Sequence, residues 1–183
     1  TATTGDITDS GTLTITGASV FTTRVGGSNI VLDSSGNAFA AAVTMKADAA
    51  GNETFGNITF VDSAAVRLHS SAASAGDLYI NASTDGAVGG DLSITATTGN
   101  ITQGVAVAVT GTTTLKATTS NNITLDNTSN NFQGAVKITS GNDVTLVDAG
   151  AIDLGASTVS GIYDVTATSG NITDSGNLTI TGA

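Results

Sequence analysis

Apolar and polar residues alternate strictly in short segments along this chain. Examples are the segments 13–16 (LTIT), 92–95 (LSIT) and 178–181 (LTIT), in which each aliphatic residue is followed by threonine or serine. This alternation predicts β-strands with one buried and one exposed face. Glycine, asparagine or aspartate recurs between the segments at intervals of roughly 8–12 residues, as expected of tight turns. No segment of roughly 10–15 residues shows the apolar periodicity of a helix. Folds in which helices connect parallel strands are therefore excluded.

Long repeats organise these strands. Residues 1–18 read TATTGDITDSGTLTITGA and residues 166–183 read TATSGNITDSGNLTITGA, so the two segments differ only at Thr4/Ser169, Asp6/Asn171 and Thr12/Asn177. A looser copy, TATTGNITQGVAVAVTGT, begins at residue 95. Such internal similarity is typical of solenoids, in which each coil buries its apolar face only by stacking on its neighbours.

We therefore predict an all-β fold, a right-handed, single-stranded parallel β-helix (β-solenoid) with roughly 20 residues per coil. Residues 1–183 are predicted to form one continuous solenoid segment, with copies beginning near residues 1, 95 and 166. The chain opens without an initiator methionine and closes on the motif with which it begins, so we expect a fragment of a much longer protein. The residues expected in the core are Ile7, Leu13, Ile15, Ile30, Leu32, Phe39, Ile123, Leu125, Phe132, Ile172 and Ile180.

Composition and charge narrow the classes of function. The chain has 15 acidic and 5 basic residues and a formal net charge of −10. A surface of this sign repels phosphate backbones, so we expect no nucleic-acid partner. No apolar run approaches the roughly 18 residues of a membrane span. Cysteine is absent, which excludes disulfides and thiolate metal sites, and proline is absent, so nothing interrupts the amide ladder.

Aspartates recur at the predicted strand ends and are the candidate metal ligands: Asp33, Asp62, Asp126 and Asp148. Carboxylates stacked between coils could share calcium ions. The alternative is an Asx turn, in which the side chain accepts a hydrogen bond from the backbone two residues on. We favour the turn, because the glycine-rich signature of calcium-binding solenoids is missing. No other cofactor is predicted.

We do not predict an enzyme. A polysaccharide-cleaving β-helix needs a unique carboxylate cluster with a neighbouring cation, whereas Asp62 and Arg67 stand at positions that recur in the next copy. His69, the single histidine, has no second histidine or cysteine with which to share a metal, and we expect it to be exposed. Tyr79 and Tyr163 stand in unlike contexts and do not indicate a sugar-stacking platform.

Three segments carry a resemblance to known proteins: GNITDSGNLTITG at 170–182, NNFQGAV at 130–136 and VDAGAIDLGAS at 147–157. They resemble the degenerate repeats of large bacterial exoproteins of the filamentous-haemagglutinin-like class. The resemblance implies an extracellular protein at the bacterial surface, whose solenoid is the structural stalk of an adhesin that mediates attachment to cells. The implied partners are the neighbouring repeats of the same chain and a receptor on a host or neighbouring cell.

Two alternatives remain beside the adhesin stalk. One is a self-assembling extracellular fibre, sheath or surface-layer protein, because the strand edges of the first and last coils could pair between chains. The other is a carbohydrate-binding or carbohydrate-cleaving β-helix.

Overall fold

Parallel β-strands stacked along one axis make up this protein. The computed structural model describes residues 1–47, 56–69, 77–80 and 87–182, and only the backbone of residues 69, 77–80 and 87. Throughout these ranges the regular secondary structure is β-strand, and nothing in them forms an apolar helix of membrane-spanning length.

Two long sheets run the length of the solenoid. In the described ranges each contains eight strands, and neighbouring strands pair in parallel. Sheet 1 consists of β1 (Ile7–Thr8), β4 (Ile30–Leu32), β7 (Ile58–Asp62), β11 (Leu92–Ala96), β14 (Thr113–Lys116), β17 (Val136–Ser140), β19 (Ile152–Leu154) and β22 (Ile172–Asp174). Sheet 2 consists, in the same direction, of β3 (Ser19–Thr23), β6 (Val43–Ala47), β9 (Asp77–Ile80), β8 (Val66–His69), β12 (Ile101–Gln103), β15 (Ile123–Leu125), β18 (Val144–Asp148) and β21 (Tyr163–Ala167).

Short strands close the two sides between these sheets. Where the chain passes from sheet 1 to sheet 2, β2 (Thr14–Ile15) pairs with β5 (Ala38–Phe39), and β20 (Ser157–Val159) pairs with β23 (Leu178–Ile180). Where it passes from sheet 2 back to sheet 1, β10 (Ala87–Val88), β13 (Ala108–Val109) and β16 (Asn131–Phe132) form a stack. The predicted parallel β-solenoid is confirmed, with turns roughly 23 residues apart rather than 20.

One strand departs from the regular rotation between sheets. β8 and β9 follow each other in the sequence, yet both lie in sheet 2, where β9 separates β8 from β6. Leu78 of β9 is in register with Leu68 on one side and Val43 on the other. The chain therefore adds an extra rung to sheet 2 at this point, and the turn that contains it is long.

Inward-facing apolar side chains fill the space between the two sheets. Along sheet 1, Leu32, Phe60, Ile94, Leu115 and Ile138 form one column in register, and all are buried. Since side chains alternate across a strand, the residues between them face solvent, and most of these are threonine or serine. The alternation in the sequence therefore corresponds to the two faces of each sheet.

The predicted core residues fall into groups according to their coil. Those in interior coils are buried, namely Ile30, Leu32, Phe39, Ile123, Leu125 and Phe132. Those in the first coil pack against the core while partly exposed, namely Ile7, Leu13 and Ile15. The prediction was wrong for Ile172 and Ile180, which are 50% and 43% exposed. Their strands β22 and β23 are the last described rungs, and no described coil covers them.

Candidate functional site

Two clusters of polar side chains line the short sides of the solenoid, and both have the same arrangement. The first side network consists of Asp9, Asn37 and Asp62, which follow or end strands β1, β4 and β7 of sheet 1. The second side network consists of Gln103, Asn130 and Asp148, which follow or end β12, β15 and β18 of sheet 2. Each network is therefore built by three successive coils, and each coil contributes one polar residue at the point where the chain leaves a long sheet.

In the first side network, an aspartate and an asparagine join the first two coils. The Asp9 carboxylate accepts hydrogen bonds from Asn37 Nδ2 at 2.7 Å and from the backbone N–H of Asp33 at 3.0 Å and of Ser34 at 3.3 Å. Asn37 is fully buried, and its Oδ1 accepts the backbone N–H of Leu13 at 2.8 Å. Both side chains thus bond to backbone that no β-ladder satisfies in this corner.

In the second side network, Asn130 bonds to the backbone of three different strands or turns. Its Oδ1 accepts the N–H of Val107 at 2.8 Å, and its Nδ2 donates to the carbonyls of Leu125 at 3.2 Å and Val147 at 3.0 Å. Gln103 forms a reciprocal amide pair with Asn130, at 2.7 and 3.0 Å. Asn130 has no exposed surface, and therefore water cannot bond to its side chain. The protein itself supplies the hydrogen-bond partners of both polar atoms.

Asp62 and Asp148 occupy the third position of the two networks, and both are buried. Asp62 accepts the backbone N–H of Phe39 at 3.4 Å, and Asp148 accepts that of Phe132 at 2.7 Å. Each also accepts the N–H of the residue two positions on, at 3.3 and 2.6 Å. These short-range bonds are those of an Asx turn.

The four candidate calcium ligands are not brought together. Asp33 and Asp126 are exposed, and Asp33 joins the first side network through its backbone N–H, which donates to Asp9. Asp62 and Asp148 lie inside opposite sides of the solenoid, with oxygens already bonded to backbone N–H groups. Within the described ranges, no group of three or more histidine, aspartate or glutamate residues could hold a metal ion. Calcium binding stays a prediction.

The first side network holds two carboxyl groups with opposite pKa shifts. Burial raises the pKa of Asp62, and the N–H groups that it accepts offset only part of that effect. At Asp9, burial also acts to raise the pKa, but the hydrogen bonds from Asn37, Asp33 and Ser34 together outweigh it and lower the pKa. The physical cause is the number and quality of donors that face each carboxylate.

These shifts predict opposite pH dependences for two matched substitutions. The stability that Asp9 contributes is present above its unfolded pKa and is lost as pH falls through the lower folded value. The contribution of Asp62 is fully present below its unfolded pKa and is lost as pH rises through the higher folded value. We therefore expect Asp9→Asn to be most destabilising near pH 7 and Asp62→Asn to be most destabilising near pH 3.

Urea denaturation between pH 3 and pH 7 measures this contrast, with each variant compared with the parent chain at every pH. The asparagine keeps the size and one accepting oxygen of each side chain, so packing is closely matched. Stability differences that change in the same direction with pH for both variants would contradict the assignment.

Asparagine and aspartate also form two ladders along the rims of the long sheets. In each step, Oδ1 of one residue accepts the backbone N–H of its equivalent in the next coil, at 2.7–3.2 Å. Along sheet 1 the accepting residues are Asp6, Asn29, Asn57 and Asp91, and along sheet 2 they are Asn100, Asn122 and Asp143. We refer to these as the Asx ladders. They bond each coil to the next just before the strands begin, which specifies the register.

The outer face of sheet 1 carries a shallow groove of about 280 Å³. Its polar lining includes the hydroxyls of Thr59, Ser93 and Thr114, with Asp91 and Lys137. These groups suit hydrogen bonding to a polar ligand. Among the described lining residues Asp91 carries the one carboxylate, whereas glycoside hydrolysis ordinarily uses a pair of carboxylic residues.

The other residues considered for catalysis or sugar binding are dispersed. Arg67 is exposed on β8, whereas the Asp62 side chain is buried. Tyr163, on β21, is partly buried and packs against the core. His69 ends β8 and Tyr79 lies in β9, and the side chains of both fall outside the described atoms.

The side networks were not foreseen as units, although part of the signal is visible. Asn37 and Phe39 stand in the same spacing as Asn130 and Phe132, which marks these positions as equivalent. Gln103 was missed because it stands where the first network has Asp9. A single glutamine in a loosely matching copy has no spacing or residue type that marks it as part of a network.

The side networks recur in two parts of the chain, and a comparison with known protein families also identifies the chain as repetitive. A family model described as repeats of unknown function (DUF5649) matches residues 1–46, 72–139 and 141–183. The chain belongs to this family. No curated protein and no solved structure matches it. The DUF5649 match includes all of the second side network and, in the first, Asp9 and Asn37, while Asp62 lies between matched segments.

Proposed function

We propose that this chain is a structural shaft segment of a large extracellular adhesin at a bacterial surface, in which it holds a binding region away from the cell. The observation that carries the proposal is the pair of Asx ladders: the ladder of sheet 1 runs from Asp6 to Thr112 and that of sheet 2 from Asn100 to Ile162, so that together they bond successive coils along the solenoid. The stability of a solenoid is approximately the sum of its coils and their interfaces, so an array joined in this way can be lengthened without redesign.

The outward faces support a shaft because their chemistry is repetitive. On sheet 2, Thr102, Thr124 and Thr145 stand in register on adjacent strands, facing away from the core. A row of hydroxyls that repeats over three coils, with Arg67 next in register on one side and Asp164 on the other, suits a spacer, whereas a receptor site is normally a local departure from the repeat. The net charge of −10 keeps such a surface soluble.

The extracellular location is supported by the resemblance of segments 130–136, 147–157 and 170–182 to filamentous-haemagglutinin-like repeats. The parallel pairing of strands in both long sheets also suits an environment that contains proteases, because paired backbone must open before it can be cleaved.

The proposal can be tested with cells that display the chain between a membrane anchor and a sugar-binding tip. We expect tip-dependent attachment to a sugar-coated surface to survive a broad-specificity protease. The matched control replaces the chain with a glycine–serine linker of the same number of residues, and its attachment should be lost on the same treatment.

A second control displays the chain without the tip. These cells should not attach to sugar or to host cells. If they attach, and if Lys137→Ala in the groove of sheet 1 abolishes the attachment, the chain itself binds a ligand. Loss of tip-dependent attachment as rapid as with the flexible linker would also contradict a shaft.

A further inference from the structure

The two long sheets contain different numbers of strands over the same coils. On sheet 1, β4, β7, β11, β14 and β17 follow one another, and each is paired directly with the next. On sheet 2, the strands of the same coils are β6, β9, β8, β12, β15 and β18, again in direct pairs. Because each pair is direct, no further strand lies between its members. Sheet 1 therefore has four steps between neighbouring strands where sheet 2 has five.

The additional step on sheet 2 lies between β6 and β8. On sheet 1 the strands of these two coils, β4 and β7, are direct neighbours, with Ile30 in register with Ile58. On sheet 2, β9 separates β6 from β8. Paired strands lie about 4.8 Å apart, so β6 and β8 are about 9.6 Å apart, whereas β4 and β7 are about 4.8 Å apart. At this level the two faces of the solenoid differ in length by about one strand spacing.

Faces of unequal length require a bend in the axis. Facing sheets pack about 10 Å apart. A difference of about 4.8 Å across that distance corresponds to a tilt of roughly 25° between the coils on the two sides of β9. Sheet 2, which contains the additional strand, lies on the convex side of this bend, and sheet 1 lies on the concave side.

The interior at this level contains a larger side chain than the coils that follow. The buried column at the centre of sheet 1 is aliphatic on β4, β11, β14 and β17, whereas on β7 it is aromatic, at Phe60. The Phe60 ring centroid lies 5.0 Å from that of Phe39, which is also buried. A solenoid with one additional strand on one face encloses more volume, and a close-packed interior must fill it. This aromatic pair supplies the volume.

β6 and β8 have matching registers and could pair with each other if β9 were absent. Leu78 of β9 is in register with Val43 of β6 on one side and with Leu68 of β8 on the other. Val43 and Leu68 are both buried. Both strands run parallel to β9, so they also run parallel to each other. Removal of β9 would therefore bring Leu68 beside Val43 with both side chains still facing the core.

We propose that β9 is a wedge that holds the solenoid axis in a bent form, and that the chain without this wedge closes sheet 2 and straightens. The wedge replaces one strand pairing, β6 with β8, by two pairings, β6 with β9 and β9 with β8. The additional pairing stabilises the bent form. A bend at a fixed position sets the direction in which the coils beyond it point. The proposal does not depend on the shaft function, because it concerns the axis of the solenoid alone.

Distances between spin labels on the two outer faces test the bend, because the chain contains no native cysteine. The variant Thr44→Cys/Val147→Cys carries labels on β6 and β18 of sheet 2, and Val31→Cys/Lys137→Cys carries them on β4 and β17 of sheet 1. Each of these residues lies between two buried neighbours in its strand and therefore faces outward. Double electron–electron resonance should give a sheet 2 distance that exceeds the sheet 1 distance by about 5 Å.

Deletion of residues 70–82 tests the wedge. The deletion leaves four residues between β8 and β10, as many as separate β12 from β13. We expect the sheet 2 distance to shorten by about 5 Å and the sheet 1 distance to stay the same. Leu78→Pro should give the same shortening in a chain of full length, because proline cannot donate a hydrogen bond within a central strand. The matched control is Leu78→Val, which suits a strand and should keep the parent distances.

Equal distances on the two faces of the parent chain would overturn the proposal. A sheet 2 distance that stays unchanged in the deletion variant and in Leu78→Pro would also overturn it. Circular dichroism shows whether each variant keeps its β-structure, and loss of that structure in both variants would show that the straight form is not stable. Where only one of the two variants keeps its β-structure, the distances in that variant decide.

Discussion

Asn130→Ala is expected to lower the free energy of unfolding by about 3–5 kcal/mol, because each buried backbone group left without a partner costs about 1–3 kcal/mol. The substitution leaves the N–H of Val107 and the carbonyls of Leu125 and Val147 without the side-chain atoms that now satisfy them. It also removes the partner of Gln103. Urea denaturation followed by circular dichroism measures the change.

Asn131→Ala is the matched control, because Asn131 is the next residue, has the same side chain and is exposed. Its effect should stay within about 0.5 kcal/mol. Asn37→Ala in the first side network should give an intermediate loss, since the Asn37 side chain is equally buried but its bonds to Leu13 and Asp9 satisfy fewer backbone groups. A cost below about 1 kcal/mol for Asn130→Ala would show that the network does not stabilise the corner.

Removal of residues 113–135, one turn, should leave a folded solenoid, whereas removal of residues 113–124 should abolish folding of the coils that follow. Thr113 is in register with Leu92 on one side and Val136 on the other. Deletion of the whole turn therefore places Val136 beside Leu92 and Val144 beside Ile101, apolar against apolar. Because solenoid stability is approximately additive over coils, the loss should be limited to one coil and its interface.

Deletion of half a turn has a different consequence. β16 would follow β13 directly although both belong to the same short side, because β14 and most of β15 are missing between them, so the coil cannot complete its passage through the two long sheets. Thermal denaturation and limited proteolysis distinguish the two variants. We expect a cooperative transition and a protected chain for the full-turn deletion, and cleavage downstream of residue 112 for the half-turn deletion. Equal behaviour of the two variants would contradict a stacked register.

Much of the fold could be predicted because each strand needs only a local pattern. The segments at 13–16, 92–95 and 178–181 lie in or against strands, and the alternation identified which face is buried in interior coils. The turn asparagines were recognisable for a similar reason, because asparagine recurs between the alternating segments, where the chain turns from one strand into the next. Position along the axis was not visible, and Ile172 was therefore assigned to the core although its side chain is 50% exposed.

The side networks and the extra rung could not be read from the chain. Gln103 and Asn130 are close in space because two successive coils stack, although 27 residues separate them. β9 pairs with both β6 and β8, and nothing in its local sequence specifies that place in sheet 2. The repeated spacing of Asn37 and Phe39, and of Asn130 and Phe132, marks equivalent positions, but it does not show which side chains meet across the stacked coils.

The amino-acid sequence by itself determined that strands form, which of their faces is apolar, where they turn, and that they repeat, because all four follow from local alternation and from similarity between copies. Only the tertiary structure decided on which sheet each copy lies. Ile7 and Ile172 are in sheet 1, whereas Ile101, the equivalent residue of the copy at 95, is in sheet 2. The physical reason is that turns of unequal length rotate the chain by different amounts about the axis, and a sequence copy keeps its strands but not its angular position.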